Sequence, residues 1–156
     1  MKKIIAILSF LVVLLASSCG GNAIYKEYVS LPGYVWSKSN TVVLNATLDK
    51  AVPNANVFIN VRYGTAYPFE SLVVALKTTT PSKKSSTQSY TIPLRDANDK
   101  NLGSGMGDMW DVPFIVAKNT ALEAGTYTYE LSHQMPDDDI PMLVDMGIQI
   151  DDASKK

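Results

Sequence analysis

Most of this 156-residue chain consists of short runs in which apolar and polar residues alternate, each closed by turn-forming residues. In the run from Thr41 to Leu48, Val42, Leu44 and Ala46 share one face with Leu48. Strict alternation places successive side chains on opposite faces of a β-strand. No amphipathic helix of convincing length interrupts the series. The pattern therefore predicts an all-β domain of about eight short strands.

Further alternating runs cover 57–63, 90–94, 112–116, 126–133 and 144–150. Pro93 cannot donate to a strand ladder, so the run that contains it is predicted to be an edge strand. The segment 71–76 is apolar at both sets of alternate positions, which is typical of an interior strand covered on both faces. From this pattern we expect five buried side chains: Val57, Ile59, Val61, Val73 and Ala75.

Residues typical of turns separate these runs. They include the Ser/Thr/Lys-rich stretch 78–87, the glycine-rich stretch 103–107 and Gly125. The nearest approach to a helix, 119–124, is too short to be predicted as one. Short strands at this spacing predict two packed antiparallel sheets, that is, a β-sandwich. An open barrel is the alternative.

The N-terminus has the features of a bacterial lipoprotein signal. Lys2 and Lys3 precede an uncharged apolar run over 4–16, and Cys19 follows two serines. A basic segment, an apolar core and small residues before the cleavage site are the parts of a secretory signal. An apolar run of this length is shorter than the roughly 20 residues that a membrane-spanning helix needs. We therefore predict cleavage before Cys19 and attachment of lipid to its thiol.

This prediction divides the chain into a signal peptide (1–18), a lipidated tether (19–23), a single β-sandwich domain (24–150) and a polar tail (151–156). The mature chain would carry 12 Lys and Arg against 15 Asp and Glu. Nucleic acid calls for a basic surface, so it is not an expected partner. The only cysteine is Cys19, so the core has to stabilise the fold without a disulfide. The lipid is the predicted membrane contact.

The sequence indicates no catalytic residue. His133 is the only histidine, and it lies on the predicted inward face of its strand with Tyr127, Tyr129 and Leu131. A catalytic triad or a zinc site would require partners of the right kind, and no Gly-x-Ser-x-Gly motif is present. We predict a packing or hydrogen-bonding role for His133, and no catalytic, cofactor or metal site.

Acidic residues concentrate in two loops. One holds Asp96 and Asp99, with Asp108 and Asp111 further on, and the other holds Asp137–Asp139. Carboxylate oxygens gathered on a loop suit calcium, but the spacing from Asp96 does not match an EF-hand, so a solvated turn is the preferred interpretation. Nothing marks two of these carboxylates as a glycosidase pair.

Two tryptophans and eight tyrosines could line a binding face, because such side chains offer a large contact area with a polar group. Trp36 is predicted to lie in the core, whereas Trp110 lies in a glycine-rich loop and is the better candidate for exposure. The predicted interaction surface therefore consists of Trp110, Asp137, Asp138 and Asp139.

Several stretches of the chain form a pattern through their order and spacing. They are Cys19, 25–28, Trp36, 58–62, 67–69, 71–72, 102–108, Trp110, 125–127, 133–135 and 144–150. Together they resemble the GldH family of gliding-motility lipoproteins of Bacteroidetes, and the likeness covers essentially the whole mature chain. Pro136 and the Asp run after it depart from the family pattern.

The resemblance implies a lipid-anchored accessory of the gliding and type IX secretion apparatus that acts through protein contacts and has no known catalytic activity. Such a protein would need no cofactor, and a small-molecule ligand is not expected. The alternatives are a glycan-binding module and, less favoured, a hydrolase. Some surface lipoproteins of Bacteroidetes resemble one another in carrying acidic residues just after the lipidated cysteine, as an export signal. Residues 20–23 of this chain are uncharged and do not contain that signal. We therefore expect an outer-membrane protein that faces the periplasm.

Overall fold

The computed structural model describes residues 22–155 and places them in eleven strands. Eight strands have seven or more residues, which agrees with the predicted number, and three have only three residues. The strands are β1 (Ala23–Ser30), β2 (Val35–Ser37), β3 (Val42–Leu48), β4 (Val52–Gly64), β5 (Ser71–Thr79), β6 (Ser85–Pro93), β7 (Ser104–Met106), β8 (Met109–Leu122), β9 (Gly125–His133), β10 (Asp139–Pro141) and β11 (Leu143–Asp152).

Two antiparallel sheets form the predicted β-sandwich. The five-stranded sheet has the order β1-β11-β4-β8-β7, and the four-stranded sheet has the order β3-β9-β5-β6. The strands β10 and β2 form a separate two-stranded ribbon. Neither sheet closes on itself, so the alternative of a barrel is wrong. Within residues 22–155, no helix is long and apolar enough to cross a membrane.

The core forms between the inward faces that the alternation predicted. In β3, buried and exposed residues alternate strictly from Val42 to Leu48. In β4, Val57, Ile59 and Val61 are buried as expected. Each apolar side chain that such burial removes from water contributes about 1.5–3 kcal/mol. The hydrophobic effect therefore fixes which face of each strand turns inward.

One burial prediction is wrong for β5. This strand is interior, since β9 and β6 flank it, but Val73 and Ala75 are only half-buried. The fully buried side chains are Leu72, Val74 and Leu76 on the other face. The outer face of the four-stranded sheet has no second layer above it. An interior position in a sheet therefore did not require two covered faces.

Three stretches predicted as turns or considered as helix are strands. In the Ser/Thr/Lys-rich stretch only 80–84 forms the turn, and β5 and β6 take the residues on either side. The glycine-rich stretch contains β7, which pairs with the start of β8. Residues 119–122 of the segment 119–124 form the end of β8. Polar and glycine residues are tolerated in β6, β7 and the end of β8 because these segments lie at sheet edges.

The topology gives the sandwich two ends. The connections 49–51, 80–84 and 123–124 lie at the same end as Ala23, which we call the N-terminal end. The opposite, distal end holds the remaining segments, including the β2–β10 ribbon and β7: 31–41, 65–70, 94–108 and 134–142. The strands also extend beyond the predicted domain limits, to Ala23 and Asp152.

Candidate interaction surface

The outer face of the five-stranded sheet carries an ordered array of polar side chains. Strand register places Ser30, Asp145, Arg62 and Asp111 in one row across β1, β11, β4 and β8. The next rows are Tyr28–Gly147–Asn60–Pro113 and Lys26–Gln149–Phe58–Ile115. These residues occupy the outward-facing positions of the alternating pattern. The fold therefore joins residues from four separate runs into one surface.

Arg62 is the centre of this array. Its Nε and Nη2 donate to the two carboxylate oxygens of Asp111 at 2.9 and 3.3 Å, and its Nη1 donates to Oδ2 of Asp145 at 3.0 Å. Ser30 Oγ donates to the other Asp145 oxygen at 2.6 Å. Hydrogen bonds to Asp111 raise the pKa of Arg62, with the nearby Asp145 charge adding to the effect. Two carboxylates around one guanidinium leave the cluster with one negative charge.

Tyr28 lies over this cluster because Gly147 has no side chain. A Cβ at Gly147 would lie 2.6 Å from the Glu27 carbonyl oxygen and 2.7 Å from Cδ1 of Tyr28. The Tyr28 ring contacts two cations, with the Arg62 guanidinium carbon 5.7 Å and the Lys26 Nζ 5.8 Å from its centroid. Cations over an aromatic face are attracted by the ring quadrupole. The ring thus helps to order both side chains.

Two polar residues of the face are buried although they point away from the core. Asp145 is 6% exposed and Asn60 is 4% exposed. Asn60 Nδ2 donates to Gln149 Oε1 at 3.3 Å, and Gln149 Nε2 donates to Asp151 at 2.8 Å. A shallow polar groove of about 350 Å³ runs between Lys26, Asn60 and Asp111. This face can recognise a polar partner through oriented donors and acceptors.

Trp110 is less exposed than predicted. It lies near the start of β8 and is half-buried, and its ring packs against the backbone of Gly105 in β7. A Cβ at Gly105 would lie 2.7 Å from that ring. The indole Nε1 donates to Thr65 Oγ1 at 3.3 Å. The glycine-rich segment therefore covers one side of Trp110 rather than presenting it to solvent.

Asp137, Asp138 and Asp139 are exposed, and they lead from β9 into β10. The Lys38 N–H donates to the Asp138 carbonyl oxygen at 2.7 Å, and Lys38 Nζ lies 3.6 Å from its carboxylate. The three aspartates and Trp110 all lie at the distal end. Trp110 belongs to the five-stranded sheet, whereas Asp139 begins β10 of the two-stranded ribbon. Their role as an interaction surface remains a prediction. Cys19 lies outside the described residues.

His133 is buried, 3% exposed, on the inward face of β9 as predicted. Its ring meets Trp36 edge to face at a centroid distance of 5.4 Å, and Trp36 is fully buried. Neither ring nitrogen has a hydrogen-bond partner among the described residues. Burial lowers the pKa of His133, although Asp138 and Asp139 nearby oppose the shift. His133 therefore packs in the core as predicted, and its side chain makes no hydrogen bond to any residue within 22–155.

The loop around Asp96 is held by its own backbone. Asp96 Oδ1 accepts the N–H groups of Asn98 and Lys100 at 2.8 and 3.0 Å, and Asp99 pairs with Arg95 at 2.9 Å. The two backbone hydrogen bonds lower the pKa of Asp96. No cluster of three or more metal-ligating side chains was found over residues 22–155. Asp111 belongs to the Arg62 cluster instead.

Sequence reasoning did not single out Arg62, Asp145 or Gly147. Arg62 and Asp145 stand 83 positions apart in the chain, and only the register of β4 with β11 brings them together. The available signal was that Arg62 is the only charged residue in β4. Strand pairing was the information that the sequence lacked.

Residues 22–155 thus form a two-sheet β-sandwich protein with an ordered polar network on one outer face. Comparison with protein families gives the particular family. The GldH lipoprotein family model matches residues 23–150, and the chain therefore belongs to that family. The prediction from the sequence is confirmed.

Two relatives carry the family's name. The chain is similar to the gliding motility lipoprotein GldH of Flavobacterium johnsoniae, with 25% identity over 99 residues that cover 64% of this chain and 62% of the relative. The alignment thus spans about three fifths of that relative's length. A GldH homolog of Christiangramia forsetii is 24% identical over 124 residues, which cover 79% of this chain and 75% of the relative.

Solved structures align to most of the chain with low scores. An exo-β-1,3-galactanase from Phanerochaete chrysosporium gives a TM-score of 0.35 at 12% identity over 81% of this chain and 27% of that chain. The VP2 subviral particle of infectious bursal disease virus gives a TM-score of 0.31 at 10% identity over 85% of this chain and 33% of that chain. TmCBM61 in complex with β-1,4-galactotriose gives a TM-score of 0.27 at 13% identity over 83% of this chain and 86% of that chain.

Proposed function

We propose that this gliding-motility lipoprotein is a non-catalytic accessory of the gliding and type IX secretion machinery, and that it binds envelope proteins through the outer face of its five-stranded sheet. The Arg62 cluster carries the proposal. Burying Asp145 on a face without a covering layer costs free energy unless the charge is paired. A surface that only met water would not need such an arrangement.

The third row of the same face, two rows from this polar cluster, supplies apolar contact area. Phe58 is half-buried, and Ile115 is 40% exposed. Protein interfaces combine an apolar centre with a polar rim, and aromatic residues and arginine are enriched in them. Both kinds of residue lie on this face. This combination favours a protein partner over a sugar, which calls for exposed aromatic rings along a groove.

We further propose that lipid on Cys19 anchors the protein to the outer membrane with the domain in the periplasm. Ala23 is four residue steps beyond Cys19, so the N-terminal end would lie within about 14 Å of the lipid attachment. Strands of 13 and 14 residues span about 40 Å. Trp110 and Asp137–Asp139 would then point away from the bilayer, towards other envelope components.

A matched pair of substitutions tests the interaction face. Ile115 is 40% exposed on the outer face of the five-stranded sheet, and Val43 is 47% exposed on that of the four-stranded sheet. Ile115→Glu and Val43→Glu therefore change exposure and charge in the same way. In affinity purification from the native envelope, Ile115→Glu should lose the gliding and secretion proteins that wild type retains. Equal recovery with both variants would refute the proposed face.

Cys19→Ala tests the anchor. One cysteine supplies the whole predicted attachment, so the substitution should abolish labelling by an alkyne fatty acid and release the protein from membranes. Label that persists would contradict the lipidation site. Protease added to intact cells should leave the wild-type domain uncut, because we place it in the periplasm. Cleavage while a periplasmic control survives would favour surface exposure and the glycan-binding alternative.

A further inference from the structure

The two long sides of the sandwich differ in how their edge strands meet. On one side, β1 of the five-stranded sheet lies against β3 of the four-stranded sheet. On the other side, β6 faces the part of β8 that extends beyond its short partner β7. Tyr90 links the two strands there, with its ring 6.0 Å from Phe114 and its hydroxyl 3.5 Å from the Val116 carbonyl oxygen.

A cavity of about 260 Å³ lies in this second side, which we call the seam. Leu76, Val116, Leu122, Tyr127 and Tyr129 form its apolar part. Ser86 and Gln88 of β6 stand at its margin, and no charged side chain is among the described residues that line it. Its volume is below the roughly 300–1,000 Å³ of small-molecule pockets. The seam is therefore sized for a few side chains rather than for a whole ligand.

The backbone of β6 has unused hydrogen-bonding groups along this seam. Leu94 N–H donates to Glu70 at 2.9 Å, and Thr80 N–H donates to Lys84 at 2.9 Å, at the two ends of the β5–β6 ladder. Bonded and non-bonded pairs alternate in an antiparallel ladder. By this alternation the main-chain groups of Thr87, Ser89 and Thr91 point away from β5, towards the free edge.

The β6 edge also lacks the features that normally prevent strand pairing. Charged residues, bulges and proline protect free edges. No charged residue lies within Ser85–Pro93, its register with β5 is unbroken, and its only proline is the last residue. By contrast, β8 contains Lys118 and Pro113 and has three register shifts against β4. The β6 edge is thus the open template for an added strand.

We infer that the seam binds an extended segment of a partner protein, which adds as a strand to β6 and inserts alternate apolar side chains into the cavity. Main-chain bonds to Thr87, Ser89 and Thr91 would hold the strand, and the uncharged cavity would select its inward residues. A second copy of β6 fits poorly, because its own Ser86 and Gln88 would face an apolar floor. This surface is separate from the Arg62 face.

Photo-crosslinking in the native envelope identifies the occupant. A benzoylphenylalanine at Gln88 of the full chain should form an adduct whose crosslinked segment alternates apolar residues, whereas the same probe at Asn45, on the outer face, should not. A synthetic peptide of that segment should then bind the purified protein. No adduct at Gln88, an adduct only with another copy of this chain, or a segment without the alternation overturns the inference.

Substitution of Ser89 separates main-chain from side-chain binding. Ser89→Pro removes the outward N–H group but no bond to β5, and it should weaken peptide binding at least tenfold. Ser89→Ala keeps that N–H group and should bind as wild type does. If Ser89→Pro fails to fold, Ser89→Lys, which places a charge on the edge, should give the same loss. Undiminished binding by the folded variant refutes strand addition, whereas the Ile115→Glu result judges the proposed function independently.

Discussion

The outer faces of the two sheets both meet solvent, yet they are built differently. On the four-stranded sheet, polar side chains pair locally, as in Lys77–Glu130 at 2.7 Å and Thr47–Thr126 at 3.0 Å. On the five-stranded sheet, Arg62 joins two carboxylates, and one of them, Asp145, is buried. Exposed ion pairs contribute about 0–1 kcal/mol, whereas breaking a buried one is strongly destabilising.

This difference agrees with the interaction that we propose for the five-stranded face. On the four-stranded face, the Lys77–Glu130 and Thr47–Thr126 pairs have no residue in common, so one can be replaced without consequence for the other. The five-stranded face holds several side chains in fixed positions through shared partners, which is the arrangement that a specific contact requires. Substitutions at matched positions on the two faces test this interpretation.

The largest effect is expected at Gly147. A side chain there would collide with the Glu27 backbone and the Tyr28 ring, and β1 would have to move. We expect Gly147→Val to lower the free energy of unfolding by about 3 kcal/mol. Ala75→Val on the other face should change it by about 0.5 kcal/mol or less. Urea unfolding measures both, and equal losses would remove the distinction between the faces.

Arg62→Met should come next, with a loss of about 2 kcal/mol, because it leaves the buried Asp145 carboxylate without its cation. The matched control, Lys77→Met, breaks an exposed pair and should cost about 0.5 kcal/mol or less. Adding Asp145→Asn to Arg62→Met should restore part of the stability. A double variant that is less stable than Arg62→Met would show that the Asp145 charge is not the cause.

The smallest change at neutral pH should come from His133→Phe, which keeps the edge-on contact with Trp36. Because burial lowers the folded-state pKa of His133, the unfolded chain binds the proton more readily. Wild-type stability should therefore fall as the pH drops below about 6.5, the ordinary histidine value. His133→Phe should remove that fall. A fall that persists would have to be assigned to carboxylates, including those of the outer faces.

His133 also has charged neighbours that bear on this test. Lys38 lowers its pKa further, whereas Asp138 and Asp139 raise it, and the desolvation effect is the largest of these. Removing the Lys38 charge should therefore raise the folded-state pKa of His133 and make the acid-side loss of stability smaller, while its onset stays at about pH 6.5, the ordinary histidine value. Asp96 and Asp152, whose pKa values are lowered, affect stability only at lower pH, as the pH falls below about 3.8.

The alternating pattern by itself determined the fold class, the approximate number of long strands, the positions of seven of them and the inward faces of β3, β4 and β9, whereas β1 had no alternating run of its own. His133 was placed in the core for the same reason. A period of two is a local property, and the hydrophobic effect turns the apolar face inward whichever strands become neighbours. The family was also determined at this level and the N-terminal signal was predicted there, because residue types and their order carry both.

Only the tertiary structure decided which polar residues meet. The register of β4 with β11 and β8 creates the Arg62 cluster, and sheet order leaves the β6 edge open beside an apolar cavity. Long-range pairing also produced β2, β7 and β10, whose short sequences have no strand pattern of their own. Strand partners depend on contacts between residues that are distant in sequence, so residue periodicity determines faces but not neighbours.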